Sequence, residues 1–422
     1  MTASPPLDCR DQVLIIGAGA VGLACALALL QAGVPVTVLD RGRAGGATSH
    51  GNCGTITPSH APPLAEPGMV WQLLRWMRQP DAPFYLKPRW DPALAGWLLR
   101  ALRRCNRRDF EATTAIRAEL LLASRHLLQQ WIQDHDIDCG FQSRGSLYLH
   151  RDRAALAAGG GHAALLERAG IQVERLDGDQ VRALEPAVND QVIGGWLYPQ
   201  DAHLRPDRLV AGLLDRVRAA GGTVIEDCPV AGLLHERGRI TGVRLADGQV
   251  CRAGKVLLAT ASWTPALVRE LGLRLPVQPG KGYSLTYDRP ARAPRIPLVL
   301  AECQVCVTAW ADGYRLGSTM EFSGFDDGLN PVRLDALKRG ARLYLHEPEG
   351  PVLREQWSGW RPMVPDDLPV IGPVSRHPGL WLATGHGMLG ISLSAITGQL
   401  LADLVTGREP VVNPAPFSPA RF

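Results

Sequence analysis

The 422-residue sequence predicts an α/β protein (an α+β arrangement of two domains), and three observations support this. Residues 13–40 run as a buried strand, a glycine turn, a helix and a second strand that ends on an acid. Helix and strand patterns of the same kind return far along the chain, at Pro206–Ala220 and Lys255–Ala261. After them, Pro279–Tyr287 and Leu298–Met320 alternate as strands of a second sheet. The sequence therefore predicts a Rossmann-like domain built from discontinuous segments, beside a mixed-sheet domain with a helical cap.

The glycine turn near the start of the chain is a dinucleotide-binding motif. Gly17 permits the tight turn, Gly19 lets the backbone approach a pyrophosphate, and Gly22 lets helix and strand pack closely. Asp40 ends the second strand, where its carboxylate can accept hydrogen bonds from ribose hydroxyls. This unit alone leaves both NAD and FAD open as the dinucleotide.

Composition and charge argue against several classes of protein. A net charge of +4 is too small and too dispersed to indicate nucleic-acid binding, so no nucleic-acid partner is expected. The nine cysteines are scattered, which favours reduced thiols over a disulfide framework. Cys303 and Cys306 form a CxxC without further ligands, so we interpret them as structural thiols and expect no metal. No secretory signal and no apolar run of ~20 residues is present, so we expect a cytoplasmic location.

A tryptophan-rich segment between residues 71 and 108 allows two interpretations. Aromatic residues beside arginines suit a membrane headgroup region, and would place the protein peripherally on the inner membrane face. A helical cap with tryptophans facing the interior is favoured, because no clean amphipathic period runs through the segment. The residues concerned are Trp71, Trp76, Trp90, Trp97, Arg100, Arg103, Arg104, Arg107 and Arg108.

The remaining segments divide into two predicted domains. Gly42–Gly68 is rich in glycine, serine and proline and is predicted to form loops over a cofactor. Arg107–Asp134 has helical spacing and Ser143–His150 alternates like a strand. The nucleotide-binding domain is predicted over 1–66, 200–275 and 359–408, the substrate-binding domain over 67–199 and 276–358, and a tail over 409–422.

Two further motifs suit the reactive ring of a cofactor. In the loop after Asp40, the side chains of Thr48, Ser49 and Asn52 can bond phosphates, ribitol or ring edges, although a polar surface loop is the alternative. Near the C-terminus, a turn at Gly385–Gly387 is followed by small residues that predict a helix beginning between Gly387 and Ile391. The N-terminus of such a helix would stabilise negative charge that develops on a reduced ring.

Arg361 lies just before this turn in an apolar setting. A buried guanidinium needs a partner, and a substrate carboxylate held by two hydrogen bonds is one. A structural salt bridge to Asp366 or Asp367 is the alternative, and the sequence leaves both open.

With these motifs together, the chain resembles the glycine oxidase and D-amino-acid oxidase flavoproteins, and most closely the bacterial D-amino-acid dehydrogenases of the small-subunit type. The likeness extends nearly from end to end and is carried by TSHGNCGTITPSHAPPLAEPGM, WLLRALRRCN, PGKGYSLT, GSTMEFSGF, RPMVPDDLPVIG, ATGHGMLG and TGQLLADLVTGR. The resemblance implies FAD bound across the first and last motifs. It also implies oxidative deamination of a D-amino acid, by hydride transfer from Cα to flavin N5, giving an imino acid.

The resemblance also implies roles for individual residues. Arg361 would hold the substrate carboxylate and Tyr283 would lie in the active site. Independently of the resemblance, the position of His386 in the C-terminal glycine turn predicts that it tunes the protonation of flavin or amine. Val230 would pack by the adenine, and Ala261 and Trp263 would line the pyrophosphate side. The cofactor-binding set is completed by Gly17, Gly19, Ala20, Gly22, Asp40, Arg41, Thr48, Ser49, Asn52, Gly54, Gly385, Gly387, Met388 and Gly390.

In the segment that corresponds to the family's TSxANAG pattern, the chain has His50 at the variable position and Cys53 in place of the second alanine. A histidine at a comparable place carries covalent flavin in dimethylglycine and sarcosine dehydrogenases, so a covalent link at His50 is one alternative, and a noncovalent cofactor is favoured. Lys281 is interpreted as a solvated lysine rather than a neighbour of the flavin.

Two further functions stay open. D-Proline or cis-4-hydroxy-D-proline would give a cyclic imine in place of an acyclic imino acid. A noncatalytic FAD-binding subunit that docks a partner through the tryptophan-rich segment is an alternative of another class. The electron acceptor is expected to be a quinone or another oxidant.

Overall fold

The structure is a computed structural model that describes residues 8–69 and 82–422. Its strands are β1 (Asp8–Ile16), β2 (Val36–Leu39), β3 (Thr55–Ile56), β4 (Phe84–Leu86), β5 (Ser146–His150), β6 (Glu174–Asp177), β7 (Gly194–Tyr198), β8 (Ala202–His203), β9 (Thr223–Ile225), β10 (Val230–Glu236), β11 (Arg239–Leu245), β12 (Val250–Leu258), β13 (Gln278–Tyr287), β14 (Leu298–Leu300), β15 (Val305–Trp310), β16 (Gly313–Phe322), β17 (Leu353–Met363), β18 (Val370–Pro373) and β19 (Leu380–Thr384). The helices used below are α1 (Ala20–Gln31), α2 (Pro92–Arg104), α3 (Arg107–Asp134), α4 (Arg153–Arg168), α5 (Gly178–Leu184), α6 (Pro206–Ala219), α7 (Thr264–Val268), α8 (Pro331–Arg342) and α9 (Ser394–Thr406). Trp71 and Trp76 lie outside the described residues.

The first sheet has the arrangement expected of a nucleotide-binding domain. Its strands follow the order β10, β11, β12, β1, β2 and β9, and β19 joins the second half of β12. β1 is parallel to both β2 and β12, and β2 is parallel to β9. These strands are apolar on both faces because helices α1, α6 and α9 cover one face and a second apolar cluster covers the other. The predicted α/β class and the Rossmann-like assembly from distant segments are confirmed.

The second sheet is mixed and follows the order β17, β13, β16, β15, β14, β5, β7 and β6, with β4 beside β16. β13 pairs with β17 over its whole length, from Gln278 opposite Met363 to Tyr287 opposite Leu353. The division into domains stays a prediction. β17 begins in one sheet and leads directly into the loop before β18 of the other.

Helix α2 supplies the predicted helical cap. Leu94 and Trp97 lie on its buried face, and the Trp97 indole donates to the carbonyl of Met363 at 3.0 Å. The cap therefore holds the end of β17, where Arg361 lies. Within the described ranges, no helix combines the length and apolar character needed to cross a bilayer.

Candidate active site

A cleft joins parts of the chain that are far apart in sequence. Its lining includes Gly19–Val21 from the start of α1, loop residues between Thr48 and His60, the end of β17 and the turn His386–Ile391. It encloses about 1140 Å³ of empty space, part of it open to solvent. The glycine turn and Arg361 thus open onto one continuous space.

At one end of the cleft, the glycine turn leaves the start of α1 accessible. A Cβ on Gly17 would lie 2.6 Å from the Ala259 carbonyl oxygen, and one on Gly22 would lie 1.8 Å from the Gly17 oxygen. Gly19 is the N-cap and has no side chain to satisfy the first N–H groups of the helix. An anionic group is what such a helix N-terminus binds.

Asp40 faces this turn. Its carboxylate accepts hydrogen bonds from the Ala18 N–H at 2.6 Å and the Gly42 N–H at 3.0 Å. These contacts fix the carboxylate beside the glycine turn, as a ribose-binding acid requires.

The loop after Asp40 is held by its own polar side chains. Ser49 Oγ accepts from the Ala20 N–H at 3.2 Å, so it lies at the start of α1. Thr48 Oγ1 donates to the Trp360 carbonyl at 2.9 Å, and Asn52 Oδ1 accepts from Gly54 at 2.7 Å. Thr48, Ser49 and Asn52 line the cleft, whereas Gly54 packs against Leu204 and anchors the loop.

Three of the predicted cofactor-binding residues, Arg41, Val230 and Trp263, lie on the Asp40 side and do not line the cleft. The Cys228 N–H donates to the Asp40 carbonyl at 2.7 Å, which places the start of β10, and so Val230, beside that end. The Arg41 guanidinium lies 3.8 Å above the Trp263 ring. Ala261 does line the cleft, with a φ of 47°.

The C-terminal turn contributes backbone to the cleft wall. Gly385 and Gly387 have φ values of 75° and 54°, which favour glycine, and the Gly387 N–H donates to the Pro362 carbonyl at 3.0 Å. The prediction that the helix begins between Gly387 and Ile391 is wrong, because α9 begins at Ser394. Gly387 cannot be helical at this φ, so turns precede the helix. Met388 and Gly390 belong to these turns and line the cleft.

His386 is buried beside this turn. Its Nε2 is 3.0 Å from Thr397 Oγ1, and burial lowers its pKa to about 3. The imidazole is therefore neutral at physiological pH and has little capacity as a base. It can tune protonation at the site only as a neutral hydrogen-bonding group.

Arg361 reaches the other end of the cleft from β17. Its Nη1 donates to the Thr319 carbonyl at 2.5 Å, and burial lowers the pKa of the guanidinium. Over residues 8–69 and 82–422, no carboxylate lies within ion-pair distance of it. The alternative of a structural salt bridge is wrong, since Asp366 pairs with Arg421 at 2.9 Å and Asp367 with Arg117 at 3.4 Å.

The strand opposite Arg361 is strained where it meets the guanidinium. Ser318 and Thr319 have φ values of 128° and 58°, and the pairing of β13 with β16 shifts register there. A β-branched residue rarely adopts a positive φ. The bulge turns the Thr319 carbonyl toward Arg361, and strain of this kind concentrates at functional sites.

Tyr283 lines the cleft, and its hydroxyl donates to Glu321 Oε2 at 3.1 Å. Lys281 on the same strand is buried, contrary to the solvated lysine expected, and its Nζ donates to the Gly328 carbonyl at 2.5 Å. Lys281 is not part of the cleft lining, although its Nζ lies 5.2 Å from the centre of the Tyr283 ring.

His50 does not contribute to the lining of the cleft. Its Nε2 is 2.7 Å from Glu355 Oε1. This contact favours the noncovalent alternative for the cofactor.

Several lining residues were missed by sequence reasoning. His60 lies in the cleft, and burial and the nearby Arg117 lower its pKa to about 4, so its imidazole is not readily protonated. The Trp357 ring packs against Gly51 and Gly359 and fills the space that a Cβ at either position would occupy. Cys306, which we interpreted as a structural thiol, also lines the cleft. Only its position on a strand of the second sheet could have indicated this.

Comparison with known proteins gives one matching family model. Residues 12–404 match the model described as DAO, FAD dependent oxidoreductase. A protein named D-amino acid dehydrogenase from Methylobacterium sp. (strain 4-46) is 37% identical over 423 residues, which cover 97% of this chain and 99% of that protein. One of the same name from Xanthobacter autotrophicus is 36% identical, with coverage of 97% and 99%.

Solved structures share the fold. Glycine oxidase from Geobacillus kaustophilus superposes with a TM-score of 0.79 at 22% identity, covering 98% of this chain and 99% of that one. L-Proline dehydrogenase from P. horikoshii gives a TM-score of 0.73 at 17% identity, with coverage of 99% and 98%.

Proposed function

Since the chain belongs to the DAO family of FAD-dependent oxidoreductases, we propose that it oxidises D-amino acids to imino acids, which water then hydrolyses. The family match confirms the predicted cofactor, FAD, and the oxidoreductase class. The observation that carries the choice of substrate is Arg361, a desolvated guanidinium that faces the cleft and has no carboxylate partner in the described part of the chain. An amino acid brings such a carboxylate.

The residues present fit FAD. The start of α1, with glycine as its N-cap, suits a pyrophosphate and Asp40 suits a ribose, while the C-terminal turn offers backbone to a flat ring. FAD when bound supplies a ring that accepts a hydride. We propose that Thr48, Ser49, Asn52, Met388 and the other predicted cofactor-binding residues hold it.

The side chains around the substrate end divide the remaining work. We propose that Arg361 binds the substrate carboxylate through two parallel hydrogen bonds, while the strained Thr319 carbonyl keeps the guanidinium in place. Tyr283 forms a wall whose hydroxyl is already bonded to Glu321. Because burial lowers the pKa of His386 to about 3, His386 has little capacity to take a proton from the substrate. We therefore propose that the substrate amine binds already deprotonated.

Anaerobic reduction of the purified, FAD-loaded protein tests the proposal. We expect D-amino acids to bleach the flavin band near ~450 nm. The L-enantiomers of the same amino acids are the matched control, because they differ only in configuration at Cα. D-Proline and cis-4-hydroxy-D-proline belong in the panel, since they distinguish a cyclic from an acyclic product. Bleaching by L-enantiomers alone would contradict the substrate class, and no bleaching across the panel would favour a noncatalytic, partner-docking subunit.

We also propose that the protein docks peripherally on the inner face of a membrane and reduces a quinone there. The supporting surface is the outer face of α2, where Leu99 is 51% and Leu102 43% exposed, together with Trp90 just before the helix, which is 95% exposed. Arg100, Arg103 and Arg104 flank these apolar side chains, a combination that suits anionic headgroups.

Vesicle sedimentation tests the membrane contact. We expect binding to vesicles that contain anionic phosphatidylserine, weaker binding to phosphatidylcholine alone, and loss of binding in Leu99→Asp. Leu329→Asp is the matched control, because Leu329 is 44% exposed and lies outside α2. Equal binding by the two variants would contradict the assigned surface. Reoxidation of the reduced protein by a short-chain quinone, compared with oxygen, tests the acceptor.

A further inference from the structure

A pair of cysteines lies in the cleft beside Arg361. Cys53 comes from the loop after Asp40, and Cys306 comes from β15 of the second sheet. Both are free, partly exposed and part of the cleft lining. Reagents that enter the cleft can therefore reach both sulfurs.

The sheet places the two sulfurs next to each other. Gly317 is directly opposite Cys306 in the antiparallel pairing of β15 with β16. A Cβ on Gly317 would lie only 2.5 Å from Cys53 Sγ, so the Cys53 sulfur occupies the space of the missing side chain. Directly opposed side chains in antiparallel strands have Cβ atoms about 5 Å apart. Cys53 thus takes the place of a cross-strand partner of Cys306.

The loop that carries Cys53 is held in this position. Arg315 Nη1 donates to the carbonyls of His50 and Asn52 at 2.8 and 2.7 Å. The Cys306 thiol and the Arg315 and Arg361 cations lower the pKa of the Cys53 thiol, and Cys53 raises the pKa of Cys306. The more acidic thiol forms the nucleophilic thiolate, and the other is available to resolve it.

Cys303, the other cysteine of the CxxC motif, does not lie beside Cys306 in the cleft. Cys303 lies before β15, where its thiol donates to the Leu300 carbonyl at 3.5 Å. A Cβ on Gly340 of α8 would lie 2.9 Å from that sulfur, so Cys303 packs against α8 and does not line the cleft.

We propose that Cys53 and Cys306 are an oxidation site for peroxides, and that their disulfide closes the substrate end of the cleft. The Cys53 thiolate attacks hydrogen peroxide, so an S–O bond forms, the O–O bond breaks and one water leaves. The Cys306 sulfur then attacks the Cys53 sulfur, and the second water leaves as the disulfide forms. Two thiols lose two electrons and two protons, and the peroxide receives them.

The bond would link the loop that lines the cofactor end to a strand of the substrate sheet. Bonded sulfurs lie about 2 Å apart, which is closer than two thiols in contact, so the loop must move toward β15. A displacement of about 1 Å in a positioned site can lower turnover by about 100-fold. This effect on turnover rests on the proposed function, whereas the formation of the bond does not.

Peroxide treatment of the FAD-loaded protein, followed by alkylation, digestion and mass spectrometry, tests the bond. We expect a cross-linked peptide joining Cys53 to Cys306 in the wild type and in Cys303→Ser, and none in Cys53→Ser or Cys306→Ser. Cys303→Ser is the matched control, because it removes the other half of the CxxC. A Cys303–Cys306 cross-link, or no cross-link, would overturn the proposal.

Activity measured on the same samples tests the consequence. We expect the wild type and Cys303→Ser to lose at least about 90% of their turnover and to regain it with dithiothreitol. Cys53→Ser and Cys306→Ser should keep their own untreated activity. A cross-link that leaves turnover unchanged would overturn the closure of the cleft. Absence of D-amino-acid oxidation before any treatment would count against the proposed function only, since the cross-link is read separately.

Discussion

Replacement of Arg361 by alanine is the most direct test of how the substrate is bound. The guanidinium is desolvated, its described hydrogen bonds go to the neutral Thr319 carbonyl and the Met320 sulfur, and a substrate carboxylate would be its counter-charge. Removing one partner of a buried, hydrogen-bonded charge pair costs about 2 to 5 kcal/mol. At about 1.36 kcal/mol for each tenfold change, kcat/KM should fall by about 30- to 5000-fold.

Most of this loss should appear in KM, since the pair forms when the substrate binds. Arg361→Lys is the matched variant: it keeps the charge but loses the planar fork, so its kcat/KM should lie between those of the wild type and Arg361→Ala. Steady-state kinetics with a D-amino acid gives both constants, and the flavin absorbance gives the FAD content. An Arg361→Ala protein with unchanged kinetics, or with its FAD lost, would refute the assigned role.

Three other changes test separate parts of the structure. In Gly282→Ala the new Cβ would lie 2.4 Å from the Arg361 guanidinium, so KM should rise while FAD is retained; Gly161→Ala, whose Cβ meets open space, is the control for the kinetic assay. In Gly22→Ala the new Cβ would lie 1.8 Å from the Gly17 oxygen, so FAD content and Tm should both fall, and unchanged values would contradict the packing argument. Burial holds three histidines neutral by lowering their pKa values below the ordinary 6.5, so the stability that they contribute is complete above pH 6.5 and is lost as pH falls toward 4. Four groups oppose this trend because their pKa values are raised, so that their contributions are lost as pH rises: burial raises those of Asp201 (to about 6), Asp367 and Glu185, and the hydrogen bond with Glu66 raises that of His162. We expect Tm to increase between pH 4.5 and 7, measured by thermal melts, because the pKa values of the three histidines are lowered to below the whole of this range, and a flat profile would contradict this argument. The three buried histidines are His60 and His203, whose pKa values are about 4, and His386, whose pKa is about 3.

The nucleotide end could be predicted from the sequence because its parts are neighbours in the chain. Gly17, Gly22 and Asp40 belong to one short strand, helix and strand unit whose spacing dictates its geometry. At the substrate end Arg361 could be named from the sequence, but its contact with Thr319 could not be, because the two meet only through the pairing of β13 with both β16 and β17.

The errors have equally local causes. The late start of α9 follows from the φ of Gly387, which small-residue composition does not reveal. The closeness of Cys53 to Cys306 could not be predicted, because spacing in sequence says nothing about Gly317, whose missing side chain makes room for Cys53.

The interleaving of the first sheet has a consequence for synthesis on the ribosome. β1 and β2 are made first, yet β12 ends at Leu258 and β19 begins only at Leu380. At about 5 to 20 residues per second, the gap of about 340 residues between β2 and β19 takes roughly 20 to 70 s to translate. During that time the apolar faces of β1, β2 and α1 lack the later strands and α9 that cover them. The cleft that spans both ends of the chain is therefore complete only when the last tenth of the protein has emerged, and until then the nascent chain exposes apolar surface of the kind that chaperones bind.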